Sequence, residues 1–277
     1  MKTIILIVSL FTSLYLFSQS IDYSDTVFTN GIEGPAFWEN NLYVVNYQKE
    51  GTIGIIKPTG QTELYLTLPV QSIGNSIVFD KKGMMYIADY INHNVLKVNP
   101  ISKTVKTYAH NDKFNQPNDI CLHKKGQLYA SDPNWSKKTG NIWLVEEGLS
   151  ICVDSLMGTT NGITLSSDHQ YLYVNESVQG NVWKYYLLDN GRASHRVLFH
   201  FFDKYGMDGM KVDDKGNLYI ARYGKGTIDV LDSKGKLIKE IKLKGKYPTN
   251  IAFKGRDYSE LYVTMQKRKC VEKVKNQ

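Results

Sequence analysis

The chain has 277 residues, 42% hydrophobic and 22% charged, which excludes a disordered polymer and leaves room for one large domain. Its formal charge of +7 raises the question of an anionic partner, but the lysines alternate with apolar residues, as from Lys236 to Lys244. That is the pattern of solvated strand faces rather than of a nucleic-acid surface, so no nucleic acid is expected as a partner.

The first element in chain order is not part of a fold. Lys2 provides a positive start, Ile4 to Phe17 form a mostly apolar run, and Ser18-Gln19-Ser20 offers small residues for cleavage. Residues 1–20 are therefore expected to be a secretory signal peptide, and residues 21–277 a single exported domain, periplasmic or secreted, with no membrane association after cleavage. Nothing further along is long and apolar enough for a spanning helix. The three cysteines, Cys121, Cys152 and Cys270, are odd in number and far apart, so neither a disulfide framework nor a thiolate metal site is expected.

The remainder is organised by a repeat. Six segments share one layout of a short apolar strand, a polar turn and a second strand built around an aromatic or Leu-Tyr pair. They are GPAFWENNLYVVN from Gly34, NSIVFDKKGMMYIAD from Asn75, NDICLHKKGQLYASD from Asn118, NGITLSSDHQYLYVNE from Asn161, DGMKVDDKGNLYIAR from Asp208 and TNIAFKGRDYSELYVTM from Thr249. The residues that lead the copies are Glu33, Asn75, Asn118, Asn161, Asp208 and Thr249, at intervals of 42, 43, 43, 47 and 41. Alternation of period two, as in NVLKVNP after His93, with a repeat of about 40–50 residues predicts an all-β, six-bladed β-propeller with four strands per blade. The sixth copy has room for only three strands before Gln277, so the segment from Asp22 to Thr29 is expected to supply its outer strand and close the ring.

In a propeller the innermost strands run the same way, so the six leading residues should face one another at one end of the channel. Two are carboxylates, three are amides and one carries a hydroxyl. Oxygens aimed at one point repel unless a cation sits among them. Glu33, Asn161 and Asp208 are the candidate metal ligands, with Asn118 as a fourth ligand or a substrate contact. Hard oxygen donors favour one divalent ion, Ca²⁺ first, then Mg²⁺ or Mn²⁺, with Zn²⁺ compatible. Each residue also has a plainer reading: Asn or Asp before Gly forms turns. Asp89, Asp132 and Glu176, which close second strands, read as structural acceptors, while Trp135 and Tyr223 sit where a pocket rim or packing between blades would be. The six histidines read as surface or loop residues.

Four motifs in order at propeller spacing carry a resemblance. Ile32-Glu33-Gly34-Pro35 with Trp38, Gln116-Pro117-Asn118-Asp119, Thr160-Asn161-Gly162-Ile163 and Met207-Asp208-Gly209-Met210 make the chain similar to the senescence-marker-protein, regucalcin and gluconolactonase family. The resemblance implies a metal-dependent hydrolase acting on a lactone or related small-molecule ester. It implies Glu33, Asn161 and Asp208 as metal ligands, Asn118 on substrate or metal, and Asp208 as the catalytic carboxylate, acting as base or nucleophile. Gln116 stands where sugar-lactonase members carry a substrate-gripping arginine, a departure from a sugar-acid substrate. A second resemblance competes: YIADYINHNVLKV, Tyr86 to Val98, is similar to an NHL repeat, which implies a non-catalytic propeller that binds a protein, peptide or other ligand. No oligomeric state is implied by either.

Overall fold

The computed structural model describes residues 21–23, 26–255 and 257–276. The expected signal peptide lies outside them. The described residues form six four-stranded antiparallel sheets. Five are consecutive in sequence: β2 to β5 (Ala36–Trp38, Asn41–Val45, Thr52–Ile56, Thr62–Thr67), β6 to β9 (Gly74–Phe79, Met85–Asp89, Asn94–Val98, Val105–His110), and β10 to β13 (Ile120–Leu122, Leu128–Asn134, Thr139–Glu146, Leu149–Met157). Then come β14 to β17 (Thr160–Leu165, Tyr171–Glu176, Asn181–Leu187, Ala193–Phe201) and β18 to β21 (Met210–Val212, Leu218–Arg222, Thr227–Leu231, Leu237–Lys242). The sixth joins both ends of the chain. β22 (Pro248–Lys254), β23 (Glu260–Met265) and β24 (Cys270–Lys275) are completed by β1 (Ile21–Tyr23), which pairs with β24 in the register Ile21↔Lys273, Asp22↔Glu272, Tyr23↔Val271. The propeller and its closure by an N-terminal strand are thus as the sequence predicts, but the strand is Ile21–Tyr23 rather than the whole of Asp22 to Thr29, and Phe28 forms a bridge to Tyr47 of the first blade instead.

Each strand's burial follows from its rank in the blade. The second strands are buried almost throughout, as in β7 and β19, because a sheet covers each of their faces. The fourth strands, such as β21, are mostly exposed. Among the described residues the core divides into six apolar clusters, one between each pair of neighbouring blades. The cluster between the sixth and first blades includes Phe28, Ile32, Val44, Tyr262 and Val271. Phe37 meets Tyr262 edge-on there at 4.9 Å, a contact worth about 0.5–1.5 kcal/mol beyond its buried area. The turns between first and second strands are fixed by their own polar residues: Asp80 Oδ1 accepts the N–H groups of Lys82 and Met84 at 2.8 and 2.9 Å, and Asp213 Oδ1 does the same for Lys215 and Asn217.

Two expectations are refined. Cys121 and Cys270 are buried and Cys152 is exposed. His123 is buried rather than at the surface, because the hairpin it begins folds under the next blade, where its ring meets His169 edge-on at 5.2 Å.

Candidate functional site at the channel mouth

All six leading residues line one cavity of about 590 Å³ at one end of the channel. They reach it from equivalent places. Asn75, Asn161 and Thr249 lie within innermost strands β6, β14 and β22, and Glu33, Asn118 and Asp208 lie two or three residues before β2, β10 and β18. Asn161-Gly162 is not a turn, since both residues lie inside β14. Its glycine is required by packing: a Cβ there would stand 2.3 Å from the Asp208 carbonyl oxygen of the next blade. Gly209 has the same cause, since a Cβ on it would fall 2.0–2.5 Å from the Asn250 side chain.

The ring positions have different fates. Thr249 donates its hydroxyl to the Ile32 carbonyl oxygen at 2.9 Å and contacts Thr264 Oγ1 at 2.7 Å, so it ties the sixth blade to the first. Asn75 Nδ2 donates to the Asn118 carbonyl oxygen at 3.3 Å and links the second blade to the third. Glu33, Asn161 and Asp208 come together. The Glu33 and Asp208 carboxyl groups are hydrogen-bonded to each other, and Asn161 hydrogen-bonds Asp208. Gly34 N–H donates to Glu33 Oε2 at 2.8 Å.

Electrostatics at this point are strained. Burial first, then the charge of nearby Asp119, pushes the Glu33 carboxyl up to about 8 against the hydrogen bonds it receives. Burial and then the Glu33 charge hold Asp208 well above the usual carboxylate range. Glu33 is buried and Asp208 half-buried, and two touching carboxyls so placed need either a shared proton or a cation. Asn161 Oδ1 is buried and has no hydrogen-bond partner, an acceptor aimed at nothing in the protein. Among the described residues no group of three or more His, Cys, Asp or Glu side chains is placed to hold a metal, so the donor set is two carboxylates and amide oxygens. That set fits a hard divalent cation.

Asn118 and Gln116 both line the cavity, and the Gln116 backbone N–H is fixed by Asp132 Oδ1 at 2.7 Å. Asp89, Asp132 and Glu176 are structural acceptors, as their positions suggested: Asp89 accepts Ser72 Oγ at 2.8 Å, Asp132 accepts Trp143 Nε1 at 2.9 Å, and Glu176 accepts Gly158 N–H at 2.7 Å. Trp135 and Tyr223 do form part of the rim. Tyr90 and Gln266, which no sequence motif singled out, occupy the place just after the second strand in other blades, and Glu50 reaches the rim from the turn between β3 and β4. Asp119, buried one residue past Asn118, accepts Ser76 Oγ at 2.6 Å and the Ile163 N–H at 3.3 Å, so joining three blades beneath the ring. The signal for Asp119, Tyr90 and Gln266 was available in the repeat alignment, one residue after a ring position or just after a second strand.

Comparison with known proteins bears on the family and the fold. The sequence model of the SMP-30/gluconolactonase/LRE-like region matches residues 33–267. A gluconolactonase of Zymomonas mobilis is 27% identical over 229 residues, covering 69% of this chain and 64% of that enzyme, just under two thirds of its length. A lactonase of Staphylococcus aureus is 24% identical over 61% of this chain and 69% of its own. Among solved structures, a calcium-binding regucalcin of Agrobacterium tumefaciens superposes with a TM-score of 0.80 at 21% identity, covering 91% of this chain and 92% of its own. A gluconolactonase of Xanthomonas campestris gives 0.79 at 19% identity, covering 93% and 89%. At these identities the structural likeness speaks for the fold.

Proposed function

Because the chain belongs to the SMP-30/gluconolactonase/LRE-like family, we propose that it is an exported, metal-dependent hydrolase of a lactone or related small-molecule ester. The observation that carries this reading is the convergence of Glu33, Asp208 and the unpartnered Asn161 Oδ1 at the floor of the cavity. A propeller that only binds a partner has no use for two carboxyls held in contact on its channel axis.

Glu33, Asn161 and Asp208 would hold one divalent cation, with Ca²⁺ favoured and Asn118 as a further oxygen donor or as a substrate contact. Such an ion supplies polarisation of a carbonyl oxygen and acidification of water. The chain's own groups do the rest. Asn118 and Gln116 orient the substrate from the cavity wall. Asp208 accepts a proton from water as that water's oxygen bonds to the carbonyl carbon. The proton then passes to the leaving oxygen as the acyl C–O bond breaks, giving an alcohol and a carboxylic acid that ionises.

Lactone hydrolysis by the protein without residues 1–20, followed by acid release in Ca²⁺ and after chelation, tests the reading. Turnover that needs the metal and is abolished in Asp208→Asn is expected. Turnover that survives chelation, or full activity in Asp208→Asn, would overturn it.

A further inference from the structure

The charge of the cavity runs against that of the chain. The sequence carries 34 lysines and arginines against 27 acids, yet among the described residues no lysine, arginine or histidine lines the cavity. Its ionisable acids are Glu33, Asp208 and Glu50. Under the proposed function, a divalent ion offsets the first two and leaves Glu50 as the net charge at the mouth. Glu50 is exposed at the rim, where it accepts the Thr29 hydroxyl. The same rim carries three aromatic residues, Tyr90, Trp135 and Tyr223, each just after a second strand. Tyr223 is fixed by its hydroxyl on Gln266 Oε1 at 2.5 Å and by the Tyr247 ring at 5.1 Å. Trp135 is 43% exposed, an open apolar face. Burial, and after it the charge of Glu50, raises the Tyr90 phenol above its ordinary value.

We infer that the cavity selects uncharged lactones or esters with an aromatic or apolar substituent and rejects anionic ones, with Glu50 as the residue that discriminates by charge. The substituent lies against Tyr90, Trp135 and Tyr223, and Gln116 and Asn118 hydrogen-bond its polar atoms. A carboxylate or phosphate on the substrate finds no cationic side chain and meets Glu50 instead, so specificity comes from a repulsive element. The product carboxylate meets the same repulsion, which favours its departure. The inference rests on the proposed hydrolase for its reaction but not for its binding preference.

A matched pair of esters separates the two. Phenyl acetate and 4-acetoxybenzoate share one scissile bond and differ by a carboxylate. With each rate normalised to spontaneous hydrolysis, kcat/KM for phenyl acetate is expected to be about tenfold higher at low salt, the size of one like-charge contact at partial exposure. The ratio narrows about threefold or more in Glu50→Gln, and also narrows in 0.5 M NaCl, where screening is short-ranged. Calorimetric titration with the unreactive amides acetanilide and 4-acetamidobenzoate reads binding without turnover, and the uncharged amide is expected to bind tighter. Preference for that amide, dependent on Glu50, with no ester hydrolysed would keep the inference and remove the hydrolase. Equal normalised rates and equal binding, or a ratio indifferent to Glu50→Gln, would overturn the inference and leave the hydrolase standing.

Discussion

Two sets of buried polar residues repeat around this propeller, and they differ in how well they are satisfied. At the ends of the second strands, Asp132 accepts the backbone N–H groups of Asn115 and Gln116 at 2.7 Å each and side-chain donors from Asn141 and Trp143 at 3.1 and 2.9 Å. In the fifth blade the equivalent residue is Arg222, and the polarity is reversed. Its guanidinium donates to the carbonyl oxygens of Lys204 at 2.6 Å and Gly206 at 3.4 Å, pairs with Asp229 at 2.6 Å, and lies over the Phe202 ring at 3.6 Å. Acid or base, these residues are saturated, and each holds the loop that leads to a ring residue. At the channel mouth, Glu33 and Asp208 touch each other and Asn161 Oδ1 has no hydrogen-bond partner. Burial of an acid is common to both sets, so burial does not mark the site. Unmet demand for a cation does.

The contrast is sharpened by substitutions at each set. The largest effect is on chemistry: Glu33→Gln and Asp208→Asn should each lower ester hydrolysis by about 10³-fold, as loss of a metal or proton-transfer group does, while metal-free folding stability holds or rises. In the saturated set the order inverts. Arg222→Met leaves Asp229, which is fully buried, with only Lys225 and Thr227 as partners and should cost about 3–5 kcal/mol in denaturant unfolding. Replacing both Arg222 and Asp229 by apolar residues should recover much of that loss. Asp132→Ala strands the Asn115 and Gln116 N–H groups and should cost about 2–3 kcal/mol, loosening Gln116 at the cavity wall. Smallest is Thr249→Val, which removes one hydrogen bond across the ring closure, for about 1 kcal/mol.

A pH series distinguishes the sets by sign. Glu33 has a folded value of about 8 against an ordinary 4.5, so the metal-free fold favours its protonated form. That contribution is complete below the ordinary value and is lost as pH rises through 8. The urea midpoint of metal-free protein should therefore fall between pH 6 and 9, Glu33→Gln should flatten the fall, and Ca²⁺ should stabilise more at pH 8 than at pH 6. An unchanged slope in Glu33→Gln would assign the pH dependence elsewhere.

The ring was legible in the sequence because a propeller places one position of every repeat on a common axis, so Glu33, Asn161 and Asp208 could be aligned before any coordinate was known. Strand β1 was legible for a similar reason: five repeats had four strands and one had three. What could not be read was which ring residues are free to act. Thr249 matches Asp208 by position, but its hydroxyl is taken by the Ile32 carbonyl 217 residues away in sequence. Asp119 lay inside a quoted motif, yet its tie between Ser76 and Ile163 depends on how neighbouring blades stack. Arg222 broke an acidic pattern, and only the pairing of β19 with β20 brings Asp229 to it. Glu50 gave no signal of its own, since it lies in the turn between β3 and β4, away from the aligned positions of the repeat.

The central claim is that Glu33, Asn161 and Asp208 bind one divalent cation, and calorimetric titration of chelator-treated protein with Ca²⁺ at pH 7.5 tests it most directly. The account predicts one ion per chain in the unaltered protein and no measurable binding in Glu33→Gln or Asp208→Asn. No binding by the unaltered protein, or undiminished binding in both variants, would contradict it.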